Sequence, residues 1–141
     1  MGLKMYDWDE YERWIKQAKH TFNAIKADIQ FKNYSWACFK AHQAAEYALK
    51  GFLRGAGQPA FGHDLRALTM EVAKYCGSSR DVTEAVLALS KFYIPSRYPD
   101  AFPGGAPYEF YTQKDAEEAL AYARKIIDWV EACVKRLRKI D

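Results

Sequence analysis

The chain has 141 residues, half of them hydrophobic and 28% charged, with a formal net charge of +3. That length suits one domain, residues 1–141, with a core of its own, and the composition is globular, excluding disordered and fibrous classes. The mild positive charge permits an anionic ligand without demanding nucleic acid. No segment approaches the roughly eighteen uncharged apolar residues of a membrane span.

The first helix is announced by Trp8, Tyr11, Ile15, Ala18, Phe22, Ile25 and Ile29, spaced by threes and fours along one face. Asp7 or Asp9 can cap it, with negative charge at the positive end of the helix dipole. The pattern runs out at "FKNYS", where Asn33 suits a turn and Ser35 can start the next helix. That second helix, "SWACFKAHQAAEYALKGFLRG", carries a strip of small residues at Ala37, Ala41, Ala44, Ala45 and Ala48. Small side chains let neighbouring backbones come close, so it is expected at the centre, with partners on several sides. "GAGQP" ends it through Gly57 and Pro59.

A third helix follows Asp64, its N-cap, with Leu65, Leu68 and Val72 inward. A fourth begins near Asp81 and carries Val82, Ala85, Val86, Leu89 and Phe92. Residues 93–112, "YIPSRYPDAFPGGAPYEFYT", then break the pattern with four of the five prolines, six aromatic rings and Arg97. A last helix is expected to restart at Asp115 and run to the C-terminus on Ala116, Ala119, Leu120, Ala123, Ile126, Ile127, Val130, Val134 and Leu137. No strand-like alternation competes. The fold class is all-α: an up-and-down antiparallel bundle of four or five helices, with a long proline- and aromatic-rich loop before the last.

Cys38, Cys76 and Cys133 have neither zinc nor redox spacing, and an odd count speaks against a disulfide framework; free buried thiols are expected. The start "MGLKMYDWDEYERW" lacks the apolar stretch of a secretory leader, so the cytoplasm is the expected location. No Glu-x-x-His pair, Walker loop or dinucleotide fingerprint is present, and no metal or required cofactor is expected.

Chemistry is concentrated in three places. The second helix aligns Gln43, Glu46 and Lys50, polar groups on an element expected to be enclosed, where they need partners. "GHDLRAL" sets His63 beside a helix N-terminus whose cap Asp64 already occupies. The irregular loop offers Arg97, suited to bidentate phosphate contact, and Tyr98, suited to stacking on a base. A salt bridge from Arg97 to Asp100 is the plain alternative. Twenty residues without helix or strand in a compact domain are usually functional or mobile, and the rings here argue against plain disorder.

The ordered set "AHQAAEYALKGFL" (41–53), "HDLRAL" (63–68) and "YIPSRYPD" (93–100) resembles the HEPN domain (higher eukaryotes and prokaryotes nucleotide-binding), in its short stand-alone archaeal and bacterial form. The resemblance implies a helical homodimer, often encoded beside a minimal nucleotidyltransferase in a two-component or toxin–antitoxin-like system. It also implies metal-independent ribonuclease chemistry wherever a late Arg is followed four to six residues on by His. Here the late Arg97 is followed by no His; the histidines are His20, His42 and His63. Arg13 and His20 have a comparable spacing but lie on the first helix, away from the late position, and are read as coincidental.

The reading that follows is a non-catalytic homodimeric module binding a nucleotide (ATP or similar) or an RNA phosphate, with a minimal nucleotidyltransferase as partner and no membrane association. Lys50 and Arg97 would hold phosphate, Tyr98 would stack, His63 or Gln43 would bond to base or ribose, and Glu46 lies among them. Two alternatives stand beside it. One is an endoribonuclease using His63 or His42. The other is an interaction scaffold in which Phe102, Phe110 and Tyr111 form the contact surface.

Overall fold

Asp7 accepts a hydrogen bond from the Glu10 amide at 3.0 Å and so starts the first helix, α1, Trp8–Gln30. In the computed structural model, which describes residues 5–139, four more follow: α2, Tyr34–Gly55; α3, Leu65–Cys76; α4, Arg80–Ser90; and α5, Gln113–Arg138. Two single 3-10 turns, Pro99–Ala101 and Pro107–Glu109, lie between α4 and α5. No strand occurs among the described residues. None of the helices is long and apolar enough to cross a membrane.

Apart from α2, whose Asn33 makes no side-chain cap bond, the helix starts follow side-chain capping. Asp64 accepts from the amides of Arg66 and Ala67, Ser79 from that of Val82, and Thr112 from that of Asp115. The last case moves a boundary. Asp115 is the third residue of α5 rather than its start, and its carboxylate returns to the Thr112 amide at 3.0 Å, closing a reciprocal capping pair.

α2 is the axis of the bundle, packed against α1, α3, α4 and α5. Its alanine strip is wholly buried. Two glycines extend that strip towards α1: a Cβ on Gly51 would come within 2.6 Å of Trp14 Cβ, and one on Gly55 would meet the Tyr6 ring. Tyr6 donates its hydroxyl to the Phe52 carbonyl at 2.9 Å, and the Asp7 amide donates to the Gly55 carbonyl at 2.8 Å. The start of α1 is thereby tied to the end of α2, and the pair is antiparallel.

The thiols are not all free. Cys76, the last residue of α3, is joined to Cys133 of α5; only Cys38 remains a thiol, and burial pushes it up to about 12. Sequence spacing could not show this pairing, because the two residues meet across a helix packing rather than along the chain. The expectation of three reduced cysteines is therefore wrong. The bond closes a loop with a sequence separation of 57 residues, worth about 4 kcal/mol if it acts by restricting the unfolded chain. Cys133→Ser should lower the melting temperature of the oxidised protein by several degrees and abolish the effect of dithiothreitol on it; equal melting of the two proteins without reductant would contradict this.

Candidate functional site

The polar residues of α2 are as enclosed as its alanines. Glu46 is 2% exposed and His42 1%, while Lys50 is 9% exposed. A carboxylate at that depth needs full satisfaction. Lys50 Nζ donates to Glu46 Oε2 at 3.1 Å from one turn along the helix. The second donor comes from outside α2: His63 Nδ1 lies 3.0 and 3.1 Å from the two Glu46 oxygens and donates to them. This bond spans 17 residues and pins the segment between α2 and α3 onto the middle of α2. Because Nδ1 faces Glu46, the opposite edge of the half-exposed imidazole, with Nε2, is the one free to meet a ligand.

His42 packs behind this pair, its Nδ1 3.1 Å from Gln43 Oε1 and 3.8 Å from Glu46 Oε1. Burial holds His42 below the usual histidine range, against the opposing pull of Gln43 and Glu46.

The irregular segment completes the arrangement. Pro95 has no amide proton, so the last turn after α4 cannot continue on backbone bonds alone. Side chains take over: the Ser96 hydroxyl donates to the Phe92 carbonyl, and Arg97 donates from Nε and Nη2 to the Tyr93 carbonyl at 3.0 and 2.9 Å. Three rings surround the Arg97 guanidinium, with centroids 4.1 Å (Phe39), 4.7 Å (Tyr93) and 4.8 Å (Tyr98) away. Arg97 does not pair with Asp100; its bonds go to the Tyr93 carbonyl and its charge rests on aromatic faces. The Nη1 edge makes no hydrogen bond among the described residues.

Tyr93 links the two halves. Its ring stacks on His63 at 4.7 Å and 19°, lies 4.9 Å from His42, and also contacts Arg97. The structure thus gathers Gln43, Glu46, Lys50 and His63 with Arg97. It leaves Tyr98 on the Arg97 side, half-exposed, touching the guanidinium rather than the Glu46 cluster. Tyr93 and Phe39 were not singled out from the sequence. The available signal was the position of Tyr93 four residues before Arg97, one helical turn away.

Arg13 and His20 stand elsewhere. Seven residues make nearly two turns, so both emerge on the same exposed side of α1, and Arg13 bonds Glu10 at 2.8 Å. Of the rings proposed as a contact surface, Phe102 and Phe110 stack on each other at 4.3 Å. Tyr111 packs on Phe92, at the edge of the core.

A HEPN domain family model matches residues 11–133, and the chain belongs to that family. Among solved structures it resembles TT1696 from Thermus thermophilus, with 41% identity and a TM-score of 0.85 over 88% of this chain and 98% of that one. ST0689, an archaeal HEPN homologue, is 36% identical with a TM-score of 0.75 over 89% and 98% of the two chains. Human sacsin is 29% identical over 104 residues, which are 67% of this chain but only 2% of sacsin.

The buried His42 makes a pH prediction. Its proton affinity is lower in the folded chain than in the unfolded one, where the ordinary value is 6.5. The unfolded state therefore binds more protons as pH falls below that value, and stability is lost on the acid side while being fully present above it. Thermal unfolding should show a melting temperature that falls between about pH 7.5 and 5.5, and His42→Gln should flatten that slope. An unchanged slope in the variant would assign the acid sensitivity to other groups.

Proposed function

We propose that this HEPN protein is a binding module for a nucleotide or RNA phosphate, acting as a homodimer with a minimal nucleotidyltransferase as its partner. The observation that carries the reading is the pairing of a pre-set cation with a pre-set imidazole. Arg97 is held by carbonyl bonds and ring faces with no carboxylate on it, and Tyr93 connects it to the His63 that Glu46 orients. An arginine fixed in this way retains its attraction for an anion, because no acid among the described residues neutralises it. Lys50 adds a second positive charge, shared with Glu46. Gln43 supplies an amide beside His42, and Tyr98 an exposed ring beside the guanidinium.

The dimer and the enzyme partner are supported by family membership, and by half-exposed apolar residues flanking Arg97: Trp36, Ile94 and Tyr98. Apolar side chains exposed together at a surface commonly mark contact with protein. Titration calorimetry with ATP, AMP and short RNA should show binding that Arg97→Ala and Lys50→Met each weaken at least tenfold, about 1.4 kcal/mol. Sedimentation of the native protein should give twice the chain mass. If nothing binds, and neither substitution alters binding of the nucleotidyltransferase, the site assignment is wrong.

A second reading, endoribonuclease, draws on one geometric fact. A histidine whose Nδ1 donates to a carboxylate has its other nitrogen presented for proton transfer, as in acid–base catalysis. The family's late histidine is missing after Arg97, which favours binding over cleavage. Under the cleavage reading, purified protein in excess EDTA should cut single-stranded RNA and His63→Asn should stop it; intact RNA after prolonged incubation leaves binding alone.

A further inference from the structure

A second unpaired cation lies on α2 two turns beyond Glu46 and about 80° further round the helix. Arg54 sits with its guanidinium 5.3 Å from the Trp14 ring centroid and 5.7 Å from that of Phe61. Its Nε is buried without a hydrogen-bond partner, and no salt bridge to it occurs among the described residues. Glu10 is near enough to feel its charge, but that carboxylate is already bonded to Arg13 and Trp14. Gly51 lets Trp14 lie directly on the α2 backbone, which fixes one wall of the clamp. Tyr47, on the same face, packs against Trp14 at 6.0 Å.

The other wall is less easily explained by folding. Phe61 is 78% exposed, so it covers Arg54 while presenting most of its ring to solvent. Gly62, at φ +81°, turns the chain sharply between Phe61 and His63. One tripeptide therefore lays its first side chain over Arg54 and its third against Glu46.

We propose that the phosphate site at Lys50, His63 and Arg97 is one end of a track for a single-stranded oligonucleotide, and that Arg54 and Phe61 form its next subsite. The proposal rests on the phosphate-binding reading above and specifies the ligand as a chain of nucleotides rather than a single one. Length is the first reason. Eight residues of helix separate Glu46 from Arg54, about 12 Å. That is room for about three nucleotides at ~3.4 Å per stacked step. The alternation is the second. Fixed cations and rings occur in turn beside α2, with Arg54 under the exposed Phe61, then Lys50, then the half-exposed His63 backed by Tyr93, then Arg97. Such alternation holds a backbone by charge while successive bases stack. Neither kind of contact reads the sugar, so the class is single-stranded nucleic acid, ribo or deoxy.

Fluorescence anisotropy with end-labelled oligoadenylates of one to eight nucleotides, in the ribo and deoxy series run in parallel to tell the two backbones apart, tests this on the full chain. Affinity should rise at least tenfold between the mononucleotide and the hexamer. Phe61→Ala and Arg54→Gln should each remove about tenfold of hexamer affinity while leaving mononucleotide binding by calorimetry unchanged. Phe61→Ala is the decisive variant, since so exposed a ring contributes little to folding, and its melting temperature should match the parent. A flat length dependence, or variants that bind the hexamer normally, would overturn the track and leave the single-phosphate site standing. Loss of stability in Arg54→Gln with unaltered hexamer affinity would make the clamp purely structural. Absence of binding to monomer and hexamer alike would remove both readings.

Discussion

A negative charge has to be kept at the centre of a helix that is buried on nearly all sides, and much of the structure is arranged around that requirement. The buried Glu46 carboxylate is satisfied because Lys50 and His63 both donate to it. Removing a partner from a buried ion pair costs about 3–5 kcal/mol, far more than an exposed pair would lose. The need for His63 fixes where the segment after α2 must run, and so where α3 begins. The ring of His63 then gives Tyr93 a surface to stack on, and Tyr93 presents its carbonyl to Arg97. Fold and candidate site therefore share one set of contacts.

The helices were legible because their apolar residues recur at helical spacing, and Asp7 and Asp64 announced two of the starts; the Ser79 and Thr112 caps lay a few residues before the starts expected near Asp81 and at Asp115. The central place of α2 was legible too, since a run of alanines means little unless other backbones approach. The glycine positions completed that pattern without announcing it: Gly51 and Gly55 are where Trp14 and Tyr6 press closest. Gln43, Glu46 and Lys50 could be aligned from periodicity alone. What joins them to Arg97 could not, because Tyr93 acts through a ring stack with a residue thirty positions earlier, and stacking leaves no local trace in sequence. The Cys76–Cys133 bond escaped notice for the same reason.

The proline-rich segment has a clearer role than a simple interruption. A continuous helix from α4 would have carried Arg97 around the bundle with the helical repeat. Pro95 stops that, and the Ser96 and Arg97 side chains satisfy the carbonyls left open, which turns the arginine back onto Phe39 of α2. Family membership and a TM-score of 0.85 to the Thermus thermophilus protein show that this bundle is shared with another chain. The lack of histidine beyond Arg97 sets this chain apart from the ribonuclease pattern on that shared frame.

The bridge between Cys76 and Cys133 encloses α4, the whole irregular segment and most of α5 within one covalent ring. A protease that nicks the exposed stretch around Gly104 and Gly105 would open that ring without releasing a fragment. Both pieces would stay attached, α4 held through Cys76 and the C-terminal helix through Cys133, so a cut chain would travel as one molecule until a reductant separated them.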